Sequence, residues 1–472
     1  MSIANGLKWG YVEKWGSKAI SLLVFLILAR LLDPVDFGLV AFAKLFIDFL
    51  EIFVAQGLGL AILQKKNITS EHLSSAFWLL VVSSLLMASL IIVFSPYIAA
   101  LFHENQLVDI LKVLSILIVL IALSRIQAVI LNREHKFREL SLRGLAMSII
   151  GGVVGITLAI NGFGVWSLIA QHICGTFAGL VVMWIATPWR PQFIFKFKAI
   201  KELYSYAFKV LLDQNLIFIS SRIDEALIGA FLGTTALGYY SIAKRLFLTL
   251  IDMLYSSIGQ VLVSVFSKIQ DDINEISEKS IKTILILSSL CFPIFIFSSV
   301  MGYELIVLLF GMKWLSAGVP FSILVTSGIF LLTKTIAYPV FSALGKPELP
   351  LKLNIVRAII STIFITVGAV YDLTGIVIAI LITSIVTSYL DIKYLSIELG
   401  KNYLFFIIGQ MKNILYVFPA FLMIILYKSF FNVDALALYD LIISATLFLV
   451  VYIITLFLFK SPVVFIVKSE KW

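Results

Sequence analysis

Apolar runs of about twenty residues succeed one another along the whole chain, and the turns between them are too short to hold a soluble domain. A helix rises about 1.5 Å per residue, so roughly 20 apolar residues cross the ~30 Å hydrocarbon core of a bilayer. Hydrophobic residues make up 61 % of the 472, charged residues 13 %, and the mean hydropathy is +1.06. No water-soluble core buries that much apolar surface, so the solvent is lipid. Fourteen spans are predicted, at about 17–32, 37–60, 75–95, 107–131, 144–161, 165–187, 203–232, 237–266, 281–301, 319–342, 351–370, 373–395, 412–429 and 436–459. The seventh and eighth are long and polar for spans. The expected fold is an all-α polytopic membrane protein with about 14 transmembrane helices.

The interruptions read as turns: Asn161-Gly-Phe-Gly164, Gly233-Thr-Thr, Gly345-Lys-Pro-Glu-Leu-Pro350 and Tyr371-Asp372. Lys and Arg set the orientation. With the N-terminus inside, twenty-four cations fall on inner segments, among them Lys8, Lys14, Lys65, Arg133, Lys136, Arg143, Lys196, Lys401, Lys460, Lys468 and Lys471. Only Arg30, Lys112, Lys313 and Lys428 fall outside. That asymmetry predicts both termini on the cytoplasmic side. The polar run Lys268 to Lys282 is expected to be a solvated helix. Pro188 to Lys198 mixes aromatic and cationic residues and is expected at the inner headgroup level.

One stretch recurs two hundred positions later. Leu32, Gly38, Ala43 and Lys44 of LDPVDFGLVAFAK align with Leu232, Gly238, Ala243 and Lys244 of LGTTALGYYSIAK. Further along, Asn132 to Phe137 corresponds to Gly345 to Pro350, and Gly164-Val-Trp to Gly375-Ile-Val, a period of six spans. An even number of spans per repeat gives two copies of the same orientation, related by an axis along the membrane normal. The expected organisation is a six-helix lobe over 1–187, an interfacial linker over 188–202, a second lobe over 203–395, and two accessory helices with a tail over 396–472. Two such halves can rock in alternating access.

Charges inside the spans are the candidate site. The cations are Lys44, Arg125, Lys209, Arg222, Lys244, Arg245, Lys334 and Arg357; the acids are Asp48, Glu51, Asp213, Asp224, Glu225 and Asp252. A lone charge at mid-membrane costs at least about 2.5 kcal/mol, so these need partners or water. Lys44, Asp48 and Glu51 fall at i, i+4 and i+7, on one helix face, which points to a hydrated cavity. Lys44 can pair with Asp48, Lys209 with Asp213, and Arg222 with Glu225. For Arg245, Lys334 and Arg357, snorkelling to the interface is an equal reading. A lining with excess positive charge suits a polar or anionic cargo such as a diphosphate. Lys44, Asp48, Glu51, Arg125, Asp213, Arg222, Asp224, Glu225 and Lys244 are therefore the candidate cavity residues. Glu51, not at i+4 from the lysine, is the candidate for coupling to an ion, H+ or Na+.

Other chemistry is not written in the chain. No GxxxxGK[ST], HExxH, GxSxG or CxxC occurs. Cys174 and Cys291 lie in apolar runs without ligand spacing, and His72, His103, His135 and His172 are scattered. No catalytic residue, metal, cofactor or nucleic-acid partner is expected, and the outer loops leave no room for an external catalytic domain.

The same residues carry a family resemblance. Ala29-Arg-Leu-Leu-Asp-Pro-Val-Asp-Phe-Gly-Leu-Val40, Leu131-Asn-Arg-Glu-His-Lys-Phe137 and Arg222-Ile-Asp-Glu-Ala-Leu-Ile-Gly229 leading to Leu232-Gly233 and Gly238-Tyr239 resemble the polysaccharide-exporter family. More narrowly, the chain resembles the colanic-acid/teichuronic-acid type of lipid-linked oligosaccharide flippase, in the multidrug/oligosaccharidyl-lipid/polysaccharide superfamily. That resemblance implies two six-helix lobes and two accessory helices around a central cavity. It implies an undecaprenyl-diphosphate-linked oligosaccharide as cargo, moved from the inner to the outer leaflet of the bacterial plasma membrane. Glycosyltransferases and a polysaccharide polymerase of the same pathway are the implied partners. The alternatives are a multidrug or small-molecule antiporter of the same superfamily and, from another class, a membrane polysaccharide polymerase or ligase.

Overall fold

A computed structural model describes residues 16–431 and 438–459, the side chains at 55, 56, 256, 257 and 260 apart. Both termini, with Lys8, Lys14, Lys460, Lys468 and Lys471, lie outside the described residues, as does segment 432–437. All regular structure among the described residues is helical: α1 (Lys18–Leu31), α2 (Pro34–Glu51), α3 (Gly57–Gln64), α4 (Ser70–Leu101), α5 (Leu107–Leu114), α6 (Ile116–Arg133), α7 (Phe137–Ile160), α8 (Val165–Ala186), α9 (Phe197–Lys268), α10 (Ile273–Val300), α11 (Gly302–Phe310), α12 (Gly318–Ala343), α13 (Glu348–Ala369), α14 (Leu373–Glu398), α15 (Tyr403–Phe430) and α16 (Leu438–Leu458). Ten membrane-spanning segments among the described residues are long and apolar enough to cross a bilayer. The expected fourteen is a larger number because α1, α2 and α9 are short or charged.

The chain forms two compact units, Met1–Gly238 and Tyr239–Trp472. In the first, α7 and α8 make the most extensive packing, α4 lies on α6, α6 on α8, and α1 on α7. The α7/α8 seam runs on small residues: a methyl at Gly151 would come within 2.6 Å of the Gln171 carbonyl oxygen. Close backbone approach through glycine is how helices gain dispersion contact where lipid offers no hydrophobic drive. The second unit repeats the plan, with α13 on α14, α10 on α12 and α12 on α14. Each unit also has a long helix with a proline near its end, Pro96 in α4 and Pro293 in α10, followed by a short helix, α5 or α11. The accessory helices α15 and α16 dock on α10, where Asn413 Nδ2 donates to the Leu285 carbonyl and Tyr452 Oη to that of Ser289.

Burial follows the lipid solvent. In α4, Ser84 and Ser95 are 0 % exposed while Leu86 and Val93 are 61 % and 62 % exposed. Each serine satisfies itself by donating to its own helix, to the carbonyls of Val81 and Ile92.

Several boundaries differ from the sequence reading. The polar run before the ninth span is the first turns of α10, capped by Asp272, whose side chain accepts from Asn274 N and Glu275 N. The fifth span begins earlier, at Phe137 rather than near 144, because Arg138, Glu139 and Arg143 are carried on helix rather than loop. The break expected at Gly233 is present: this residue interrupts α9 at φ +80°, a conformation glycine adopts without Cβ strain.

Candidate functional site

The best-formed charged site lies in the first unit and starts from α2. Pro34 opens that helix at a position needing no amide hydrogen, and Asp36 Oδ2 accepts from Asp33 N at 3.1 Å in a capping box. With its start fixed, α2 carries Lys44, Asp48 and Glu51 up one face. Lys44 Nζ donates to Asp48 Oδ1 at 3.1 Å. The other carboxylate oxygen, Oδ2, stands 3.8 Å from Arg222 of α9, and Arg222 reaches both oxygens of Glu225 at 2.8 Å. The outcome is a chain of alternating charge, Lys44–Asp48–Arg222–Glu225. Asp224 is buried beside it and accepts the Glu225 amide hydrogen at 2.9 Å.

Aromatic packing holds the two helices in that register. Phe49 of α2 meets Phe218 of α9 with ring centroids 5.9 Å apart, one helical turn before Arg222. Phe42 packs edge-on against Phe102 at 4.6 Å. An apolar surround lowers the local dielectric and strengthens the ion pairs it encloses.

Glu51 is the last residue of α2. The backbone then passes through a π turn, Ile52–Gln56, before α3 begins. Such a turn inserts extra backbone into a helix and is often found at functional sites. Arg125 of α6 and Arg143 of α7 lie within electrostatic range of Glu51, as do Lys44 and Asp48. Arg143 is a site residue the sequence reading misses, since it counts Arg143 as a loop cation. Lys44, Arg125, Arg143 and Arg222 stand with Asp48, Glu51, Asp224 and Glu225, four against four. The charges gathered here are balanced rather than positive in excess.

The remaining candidates lie elsewhere. Asp213 is exposed on α9, and no ion pair joins it to Lys209. Lys244 belongs to the second unit, with its Nζ 5.6 Å from the Tyr240 ring centroid. Also in the second unit, Arg357 does not snorkel: it pairs with Asp391 at 2.8 Å, and its NH1 contacts Asn354 and the Tyr338 hydroxyl. Asp391, 1 % exposed, is absent from the acids singled out in the sequence. Lys334 stands over the Tyr338 ring at 5.1 Å. Among the described residues, no group of three or more His, Cys, Asp or Glu side chains could hold a metal.

A family profile described as Polysaccharide biosynthesis protein matches residues 27–319. The succinoglycan biosynthesis transport protein ExoT of Rhizobium meliloti (strain 1021) is 24% identical over 369 residues, 78% of this chain and 75% of its own. The teichuronic acid biosynthesis protein TuaB of Bacillus subtilis (strain 168) is 24% identical over 350 residues, 74% of this chain and 72% of its own. Among solved structures, the lipid II flippase MurJ in an inward closed conformation matches with a TM-score of 0.74 at 16% identity, over 96% of this chain and 99% of that one. That likeness is one of fold. With the profile spanning well over half of its length, the chain belongs to the polysaccharide biosynthesis protein family.

Proposed function

We propose that this protein flips an undecaprenyl-diphosphate-linked oligosaccharide from the inner to the outer leaflet of a bacterial plasma membrane, by alternating access. The observation that carries the reading is the Lys44–Asp48–Arg222–Glu225 chain inside a bundle otherwise built for lipid. A charged, hydrogen-bonding route suits a polar glycan and its diphosphate, while the polyprenyl tail stays in the bilayer. The family and the transport proteins it resembles support a cargo of this class. Both termini are taken to face the cytoplasm, where the glycosyltransferases that build the cargo work; a polymerase acts on it after export. The chain then needs no catalytic residue of its own. H+ or Na+ coupling through Glu51 belongs to the same proposal.

The test replaces Lys44 or Lys244 by Gln in cells that depend on this chain for a surface polysaccharide. Either change should lower surface polysaccharide while membrane abundance stays near that of the wild type. Full polysaccharide from both single variants would show that these lysines do not handle the cargo.

A further inference from the structure

Between α8 and α9 the chain runs without regular structure over residues 187–196, yet this strap is fastened in place. Four contacts tie it to the first turns of α4. Gln192 N donates to Ser74 Oγ at 3.2 Å, and Lys196 N to Ser75 Oγ at 2.9 Å. The Gln192 carbonyl accepts from Trp78 Nε1 at 2.8 Å, and Lys196 Nζ pairs with Glu71. Both serines are buried, so water does not compete for the bonds they accept. The Phe193 ring stacks on Trp78 with centroids 5.0 Å apart.

What the strap turns outward is apolar. Phe193, Phe195 and Phe197, at alternate positions, are 93 %, 55 % and 73 % exposed. Helix α9 continues the row. Its Ala199, Ile200 and Leu203 are buried, while Tyr204 and Phe208 stack on each other at 5.7 Å and stay exposed. Cations are interleaved with these rings: Lys198 and Lys201 are exposed, and among the described residues neither makes an ion pair. Glu202 is the one acid within 187–208, and Lys65 and His72 already hold it.

The tie points set the depth of the strap. Helix α4 has 32 residues. It is thus about 48 Å long against ~30 Å of hydrocarbon, which leaves about 9 Å at each end among head groups. Glu71, Ser74, Ser75 and Trp78 all lie within about 12 Å of its start. The strap therefore straddles the border between head groups and hydrocarbon. A second copy of the chain suits this surface poorly, because a two-fold contact would set the Lys198/Lys201 face against itself with no unspent acid to answer it. An anionic head group answers it.

We propose that the strap and the first turns of α9 form a docking surface for anionic phospholipid, whose phosphate meets Lys198 and Lys201 and whose acyl region meets Phe193, Phe195, Phe197 and Tyr204. Burial of the rings supplies attachment to any bilayer, and the lysines add attraction to an anionic one. Whatever the cargo, this lipid contact holds the root of α9, the helix that carries Arg222.

The experiment uses the full chain in phosphatidylcholine vesicles, with a fluorophore at S205C in a C174S/C291S background. Doxyl-labelled phosphatidylglycerol or doxyl-labelled phosphatidylcholine is titrated in as quencher. Phosphatidylglycerol should reach half-quenching at a mole fraction at least about tenfold lower than phosphatidylcholine. In K198Q/K201Q, at near wild-type melting temperature, the two lipids should quench alike. Salt near about 1 M should erase the preference in the same way. Equal quenching by both lipids with the lysines in place would overturn the proposal, as would a preference that survives in K198Q/K201Q. So would a fluorophore shielded from both quenchers. Shielding that lifts as protein is diluted in lipid would make the strap an interface between copies, and shielding at every dilution would place it in water.

Discussion

Gly38 and Gly238, in register two hundred positions apart in the sequence repeat, meet in one helix crossing. A methyl on Gly38 would lie 1.7 Å from the carbonyl oxygen of Thr234, and one on Gly238 would lie 1.9 Å from that of Pro34. Thr234 is the repeat counterpart of Pro34, so the contact is symmetric at the level of single residues. Thr234 Oγ1 also donates to Glu104 at 2.7 Å, which adds a polar tie beside the crossing.

G38A or G238A should therefore destabilise by about 1–3 kcal/mol, the usual range for overpacking. G233A should cost only about 1 kcal/mol, because φ +80° strains an alanine while nothing stands within 4 Å of its methyl. Melting temperatures in one detergent check the order. A G233A loss as large as that of G38A would remove the close crossing as the cause.

Asp48 serves two cations, so D48N should lower membrane abundance. Lys44 and Asp48 are 30% and 23% exposed, so the cost should fall between that of a surface and a buried pair, about 1–3 kcal/mol. K44Q/D48N should recover part of it. Recovery should stop short of wild type because Arg222 still lacks Asp48, although it keeps Glu225.

How far the site could be read in advance follows from sequence distance. Lys44, Asp48 and Glu51 share a face through helical periodicity alone, and Arg222/Glu225 is a local i, i+3 pair, so both were legible. The Asp48–Arg222 contact joins helices far apart in the chain, and no local pattern carries it. Arg143 was hidden by its polar neighbours, which made the start of α7 read as loop. The π turn contains neither the glycine nor the proline that would have marked it. Arg357 was visible as a cation out of place, but its partner Asp391 lies in a span whose polarity is otherwise mild.

Outside the spans, Glu202 gathers hydrogen bonds from Lys65 and His72, which hold its carboxyl down at about 2 against an ordinary 4.5. A carboxylate depressed in the folded state stabilises fully above its ordinary value, and the contribution is lost as pH falls toward the folded value. The melting-temperature gap between wild type and E202Q should thus be present at about pH 5 and close only below about pH 4.5. A gap that closes between pH 8 and pH 5 would show that another group titrates there.

Ion coupling through Glu51 predicts that E51Q binds cargo but loses the response of transport to an imposed pH gradient in proteoliposomes. Unchanged gradient dependence in a folded, active E51Q protein would exclude Glu51 as the coupling site.

Topology supplies an independent check. Cysteines introduced at Lys136, Lys196 and Lys401 should label from the cytoplasm, and one at Gly233 from outside. An external Lys196 would break the six-plus-six repeat.

The most direct measurement of the central claim is leaflet transfer itself. The wild-type chain and R222Q are reconstituted in vesicles carrying a fluorescent undecaprenyl-diphosphate oligosaccharide, and an impermeant quencher reads the exposed fraction. The account predicts that wild-type protein speeds equilibration between leaflets, that R222Q slows it at equal incorporation, and that amphipathic cations do not compete. Vesicles with correctly folded wild-type protein that equilibrate no faster than empty ones would contradict it.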